Sequence, residues 1–594
     1  MTTSSPKDPS DPAKDTSPPA EAPSAPGEKA GSTPTGGARA PSAGGFAAPG
    51  PAPVAGGAGY PARTGHPPAG AAPYGARAGY PPQAPFVYQP TKIEKALTGW
   101  KRPARAMSPA LVAGALIAGV IGAVTVGPSL RNGFFGVGVL IAAAAVAYLA
   151  GASAWSAGRV VQPATGRRRA RVNRTGLVFG LLAVGLSATA AVREAEWVVF
   201  PALLLAVAIG SYAASGGRSW PEVLFGGLAV LPAVGAMMPW AGRGVYGTLT
   251  SEKGNAWPVI RTTLIAGGLL AVFGALFVGA DAAFGSLASD LIPEVSVGSV
   301  FLYAFAGVAT MVLASAGAYL GQAPPPLHLL SPEPAKPAGR WSWAVPIAAL
   351  DLLFLVFCAI QARVFLASDK DALLRATGLT YAEYARQGFF QLVVVTVLVL
   401  AVVAVAKRYA PAGHAGTVRA LLGLLCALTL VVVAVALRRL YLYEETFGWT
   451  RLRLWVHAFE LWLGVVVVLV AVAGVVKGRV AWLPRAVAAT GAVAMIVLAV
   501  LNPDGFIAEH NVARYKETGK IDIPYLRDLS ADAVPALDEL PGPARSCALA
   551  EIAERLEDDE PAMSANLSRA RAREILERRP AGEGVDCFSS SRPW

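Results

Sequence analysis

Between residues 438 and 460 the chain concentrates groups that could pair, bind or exchange protons: Arg438, Arg439, Glu444, Glu445, Arg451, Arg453, His457 and Glu460. They separate two strongly apolar stretches. Tyr441, Tyr443, Trp449, Trp455 and Trp462 are interleaved with them, the aromatic enrichment of a bilayer–water interface. Gly448 permits a turn, so the segment is expected to be a helix, a turn and a second helix. On the second helix Arg453, His457 and Glu460 recur at spacings of four and three, which places them on one face. Glu460 is expected to pair with His457 or with an arginine across the turn. Glu444, Glu445, Arg451, Arg453, His457 and Glu460 therefore form the candidate polar cluster, with Gln361 from an earlier apolar run beside them. A solvated loop with an ion pair anchoring two helices would carry the same residues.

Little else in the chain has the spacing of a reactive site. There is no G-x-x-x-x-G-K-[ST], H-E-x-x-H, G-x-S-x-G or C-x-x-C, so the signatures of nucleotide hydrolysis, zinc proteolysis, esterase chemistry and thiol–disulfide exchange are missing. Only His457 and Glu460 have a metal-like spacing, and no cofactor or metal is called for. Asp351 and Arg363 sit in one apolar run at positions read as near its ends, where snorkelling accounts for them. Of the four cysteines, Cys358 and Cys426 fall in apolar runs, whereas Cys547 and Cys587 are the pair in the charged C-terminal segment. A bridge between these two would close a loop of about 40 residues and stabilise a small domain by about 2–4 kcal/mol in an oxidising compartment.

The elements that must position these residues are set by composition. Of 594 residues 54% are hydrophobic and only 15% charged, a balance that makes the lipid bilayer the expected solvent. The net charge of +12 sits in short clusters between apolar runs, such as Arg167, Arg168, Arg169, Arg171 and Arg174, which is a topology signal rather than a nucleic-acid surface. Apolar runs of about 17–25 residues, long enough for a hydrocarbon core of about 30 Å, are expected to span near 110–127, 134–157, 175–192, 197–214, 259–280, 297–320, 343–366, 389–406, 417–437, 456–476 and 483–501. The short, glycine-interrupted segment 224–239 is read as re-entrant or interfacial. Residues 1–105 form a Pro/Ala/Gly-rich tail expected to be disordered, with a loose Tyr/Pro/Gly repeat at Tyr60, Tyr74 and Tyr80. No cleavable signal peptide is recognised, and the run near Ala110 is expected to act as a retained anchor. Residues 502–594 hold about 12 Lys/Arg against about 18 Asp/Glu and read as a small helical soluble domain. Helix starts are expected at Asn502-Pro503-Asp504 and at Ser530-Ala531-Asp532. The fold class is thus an all-α integral membrane protein with about eleven transmembrane helices in 106–501.

Four ordered polar motifs resemble a family of uncharacterised bacterial multi-span membrane proteins, domain of unknown function 4153, with an allied entry 4173. The motifs are Phe354-Leu355-Val356-Phe357 with Gln361; Leu379-Thr380-Tyr381-Ala382-Glu383-Tyr384-Ala385-Arg386-Gln387-Gly388; Arg439-Leu440-Tyr441-Leu442-Tyr443-Glu444-Glu445 through Gly448-Trp449-Thr450-Arg451; and Asn502-Pro503-Asp504 with Asp532-Ala533-Val534-Pro535. Thr446-Phe447 and Glu509-His510 depart from the expected pattern. The resemblance implies membrane location and carries no reaction with it.

Three function classes follow. A signalling or assembly component of the bacterial envelope, contacting other envelope proteins through its tail or C-terminal domain, suits the layout best. A small-molecule or ion permease would need polar groups at mid-membrane. A membrane-embedded enzyme has the least support, because no nucleophile or acid–base constellation is found. With Lys101, Arg102, Arg105 and the Arg167–Arg174 cluster cytoplasmic, eleven spans put the C-terminus outside. A topology reporter fused after Trp594 is therefore expected to be active outside the cytoplasm and one inserted between Gln162 and Arg174 inside it; a cytoplasmic Trp594 reporter would refute the assignment.

Overall fold

The computed structural model describes residues 90–158, 174–250, single residues between 262 and 277, 297–331, 333, 339–366, 389–409, 412–476, 480–557 and 560–582. These are helical, with no strand among them. A short helix α1 (Lys92–Thr98) precedes the bundle, capped by Thr91, whose hydroxyl accepts from the Glu94 N–H. The indole of Trp100 then donates to the Ala323 carbonyl at 2.7 Å. Packed chain thus begins before residue 106, where composition alone places the end of the tail.

The membrane-type helices are α2 (Pro109–Asn132), α3 (Val137–Gly158), α4 (Arg174–Ser187) with its short continuation α5 (Thr189–Val192), and α6 (Glu196–Ser215). A bent pair follows, α7 (Trp220–Leu228) and α8 (Val230–Thr250). Then come α9 (Val297–Gln322), α10 (Arg340–Leu366), α11 (Phe389–Tyr409), α12 (Ala415–Phe447), α13 (Arg451–Val475) and α14 (Leu483–Val500). Among the described residues ten helices are long and apolar enough to cross a bilayer, or eleven with the bent pair. They match ten of the eleven predicted spans; 259–280 lies largely outside the described residues. Large apolar side chains such as Leu116, Ile117, Val120 and Val124 point outward from α2, as a lipid solvent allows.

Close approach of helices rests on small residues, the usual source of packing energy where lipid removes the hydrophobic drive between helices. Gly122 and Gly127 of α2 face Thr310 and Tyr303 of α9 with no room for a Cβ, and a Cβ on Gly119 would lie a tight 3.2 Å from Met311. A Cβ on Gly138 would sit 1.9 Å from the Thr125 carbonyl oxygen. One core joins α2, α3, α8 and α9 through Leu111, Ala115, Trp240 and Tyr319. A second joins α4, α6 and α14 through Phe179, Leu186, Val198 and Leu498. A third joins α10, α11, α12 and α13 through Trp343, Val399, Leu425 and Val467.

Beyond α14 the chain changes character. Asn502, at φ 54°, caps α15 (Pro503–Thr518) by accepting from the Gly505 N–H, the start its sequence foretells. Short α16 (Ile523–Arg527), a 3-10 turn at Ala531–Ala533, α17 (Val534–Leu537), α18 (Gly542–Glu557) and α19 (Leu567–Arg578) complete a separate core around Ile507, Leu526, Val534, Leu549 and Ile552.

Hydrogen bonds sort the helix ends onto two faces. The α2–α3, α5–α6 and α12–α13 turns bond to the C-terminal helices, through Val137 N–H to the Ala565 carbonyl, Ala195 N–H to Asp532 and Trp449 N–H to Asn511. The opposite face holds α1, where Lys92 pairs with Glu333 at 2.9 Å and Arg485 donates to the Gly217 carbonyl at 2.8 Å. The start of α7 and the middle of α8 contact that opposite face: Glu222 meets Ser331, and the Trp240 indole donates to the Arg105 carbonyl at 3.0 Å. The two helices meet at 56°, where the Val230 N–H donates to the Ser211 hydroxyl near the end of α6. The bend interrupts the segment expected to be re-entrant or interfacial, and a pair broken in this way fits either a broken span or a re-entrant loop.

These contacts predict opposite effects for two glycines of α3. Gly138→Ala has to displace Thr125 backbone and is expected to lower thermal stability in detergent by about 1–3 kcal/mol. Gly151→Ala, whose Cβ would meet nothing within 4 Å, is expected to leave stability unchanged or slightly raised. Equal melting temperatures for the two would show that the α2–α3 contact is looser than described.

Candidate functional site

The helix–turn–helix expected around Gly448 is present. α12 has 33 residues and a length of about 50 Å, so its last turns, with Glu444, extend past a hydrocarbon core of about 30 Å. Gly448 adopts φ +79°, and a Cβ there would lie 2.4 Å from Asn511 Oδ1. Asn511 holds the turn from both sides: its Oδ1 accepts from Trp449 N–H at 3.1 Å, and its Nδ2 donates to the Trp449 carbonyl at 2.9 Å. Buried Glu444 places Oε1 3.0 Å from His457 Nδ1 across the turn. His457 stacks on Trp449 at 5.5 Å, and Trp449 meets Phe506 edge-on at 4.8 Å. Arg453 lies 4.3 Å over the Tyr443 ring and bonds to the Gly448 carbonyl.

The cluster does not converge as its spacing suggests. Among the described residues Glu460 pairs with neither His457 nor an arginine. It is buried one turn deeper and accepts from Thr396 Oγ1 of α11, at 3.3 Å. The imidazole is instead drawn to Glu444, a partner thirteen residues away that a helical wheel cannot reveal. Glu445 is exposed, because one step round the helix turns it away from Glu444. Gln361 joins Arg439, whose Nη2 donates to its Oε1 at 3.2 Å. Arg451 leaves the cluster altogether. Asp351, read as a snorkelling residue, lies near the middle of the 27-residue α10 and is buried, with neither carboxyl oxygen hydrogen-bonded.

Arg451 belongs to a clamp that joins the C-terminal helices to the membrane-helix ends. Its Nε and Nη2 bind Asp504 Oδ1 and Oδ2 at 3.0 and 2.7 Å, a bidentate pair, and Nη2 also donates to the Asp528 carbonyl. Asp504 further accepts from the Trp197 indole at 2.9 Å and the Ser530 N–H at 2.9 Å. Asp532 is equally enclosed. Its Oδ2 accepts from the backbone N–H groups of Glu194 and Ala195 at 2.8 and 2.9 Å and from the Ser530 hydroxyl, while Oδ1 meets Arg193 and Ser568. Asn566 Nδ2 donates to the Ala190 and Arg193 carbonyls. Fully buried Arg569 pairs with Glu560, donates to the Phe135 carbonyl and lies over Phe134. Beside the clamp a cavity of about 280 Å³ is lined by Arg193, Glu194, Trp197, Arg451, Arg555 and Arg569 among others. Burial pushes the Glu194 carboxyl above its ordinary range, despite the Ala531 N–H it accepts and the nearby Arg569.

Asp504 and Asp532 stand in the quoted sequence motifs, where they read only as helix-start residues. Their density of polar partners was the missing information. Cys547 is disulfide-bonded, Cys358 and Cys426 are free, and Cys587 lies outside the described residues. Among the described residues no group of three His, Cys, Asp or Glu side chains could hold a metal. The Glu444–His457 pair can pass a proton between its members, but among the described residues no hydroxyl or thiol is hydrogen-bonded to it. Its evident work is to fix the turn against α15.

Each aspartate predicts a separable defect. Asp504→Asn and Asp532→Asn each break a buried charge pair and are expected to weaken docking of the C-terminal helices by about 3 kcal/mol. The readout is faster proteolysis between α14 and α15 in folded protein. Exposed Glu445→Gln is expected to stay within about 0.5 kcal/mol of wild type. Aspartate variants as protease-resistant as wild type would remove the clamp from the account.

No curated protein and no solved structure matches the chain. Residues 180–540, more than half of it, match the family described as Domain of unknown function (DUF4153). That stretch contains Trp197, the Gly448–Arg451 turn, Glu444, His457, Asp351, Glu460, Asp504 and Asp532, and ends before Asn566, Ser568 and Arg569. With the turn, both clamp aspartates and seven of the ten candidate membrane helices wholly inside the match, the chain belongs to the family of domain of unknown function 4153.

Proposed function

We propose that the protein is a signalling or assembly component of the bacterial envelope, with the C-terminal domain outside and the Pro/Gly-rich tail in the cytoplasm. The observation that carries this reading is the clamp: Asp504 and Asp532 fix the C-terminal helices to the ends of α5, α6, α13 and α14. A domain held that way presents a constant surface on one face, and any force or ligand acting on it is transmitted to several membrane helices. Helix α1, which follows the tail in sequence, lies on the face opposite that domain. Orientation is supported by Lys92, Lys95, Lys101, Arg102, Arg105, Lys407 and Arg408 at the α1 face and by a disulfide at Cys547, which suits an oxidising compartment.

One observation favours a second reading, a small-molecule or ion permease. Asp351 and Glu460 lie buried within the α10–α13 bundle, where ionisable groups commonly line transport paths. Crosslinked pull-down from native membranes separates the two. Envelope proteins are expected to co-purify with the wild type and to be lost on deletion of residues 1–90 or with Asp504→Asn. Recovery no greater than for an unrelated multi-pass protein, together with solute flux in proteoliposomes, would replace the first reading with the second.

A further inference from the structure

Polar atoms buried without a hydrogen-bond partner are concentrated in one part of the molecule. They include Trp343 Nε1, both carboxyl oxygens of Asp351, Glu444 Oε2, Glu460 Oε2 and Trp462 Nε1, all on α10, α12 or α13. Outside this bundle the described residues add only Thr125 and Ser219. Buried carboxyl oxygens in folded proteins nearly always find donors, so a cluster of orphans calls for a specific explanation.

Asp351 is 3% exposed and about 16 Å along α10 from Arg340, close to mid-helix. Its helix face continues into Ile347 and Phe354, which pack into the apolar core with Leu392 and Val399 of α11, Leu422 and Leu425 of α12, and Val467 of α13. The Cys426 thiol of α12 lies close enough to feel its charge. Glu460 is 1% exposed and about 14 Å along α13 from Arg451. It receives one hydrogen bond, from Thr396 of α11. His457 on its own helix is engaged with Glu444, and Arg439 of α12 with Gln361. Among the described residues neither Asp351 nor Glu460 forms an ion pair. A bare carboxylate so placed in a bilayer has lost its water and gained no counter-charge, so it must carry a cation.

The surroundings decide which cation. A hard metal ion takes about six or more oxygen ligands at fixed distances. Asp351 has apolar side chains and a thiol about it, and Glu460 has a single hydroxyl. A proton needs no coordination shell. We propose that Asp351 and Glu460 are two proton-binding sites of the α10–α13 bundle, each neutral when loaded and each able to make the bundle respond to proton supply. This goes beyond the envelope-component reading and does not depend on it.

Infrared spectroscopy of the full chain in liposomes tests the proposal directly. At neutral pH two C=O stretching bands of buried protonated carboxyls are expected. Asp351→Asn should remove one, Glu460→Gln the other, and Glu445→Gln neither. Isotopic labelling of aspartate in the wild-type chain should shift only the Asp351 band, so the assignment survives even if a variant fails to fold. Raising the pH should bleach both bands reversibly, with uptake of two protons on return. Absence of both bands, or bands that disappear on replacing choline chloride with sodium or calcium chloride at constant pH, would overturn the proton assignment.

Discussion

The organisation of the molecule depends on two aspartates that have exchanged water for a complete set of protein donors. Asp504 receives two guanidinium nitrogens of Arg451, an indole and a backbone N–H; Asp532 receives two backbone N–H groups, hydroxyls and Arg193. A buried carboxylate is tolerated only when its lone pairs are satisfied in this way. Because the donors come from α6, α13 and the α5–α6 turn, while the acceptors belong to α15 and the Ser530–Asp532 turn, satisfying the charges and docking the domain are one event. The α2–α3 turn is added through Val137 and Phe135, which bond to Ala565 and Arg569.

This constraint also explains why the hairpin at Gly448 is so closely built. Arg451 can reach Asp504 in bidentate fashion only if α13 starts immediately after the turn, and Gly448 at φ +79° makes so short a connection possible. Asn511 then reads the Trp449 backbone as a neighbouring strand would, and the Trp449 ring is caught between His457 and Phe506. Glu444–His457 closes the same turn from the membrane side. The charged residues that stand out between two apolar runs are thus largely the fastening of a helical hairpin to the C-terminal helices.

Hydropathy makes the spans legible in the sequence, and the Asn502 cap makes the start of α15 legible, because each depends on local composition or on a single side chain. Pairing was not legible. Asp532 finds its partners 337 and 338 positions away, and no periodicity encodes such a contact. Helical spacing placed Arg453, His457 and Glu460 together, but packing across the turn sent His457 to Glu444 and left Glu460 to Thr396 of another helix. Asp351 was misplaced for a different reason. Hydropathy starts its span at Trp343, whereas α10 starts at Arg340 and runs to Leu366, which moves the residue towards mid-helix.

The contrast between the two sets of carboxyls is itself informative. At the domain face the acids are paired with arginines and backbone donors, and their energetics favour one fixed arrangement. Inside the α10–α13 bundle the acids have almost no donors, although Arg439 is present on α12, where Gln361 engages it instead. Had selection been only for stability, an apolar side chain of similar volume at Asp351 or Glu460 would serve the bundle better than an unsatisfied carboxyl. Rigid, saturated charges at the face and unsaturated acids at depth therefore divide the molecule into a part that holds its shape and a part whose charge state is free to change.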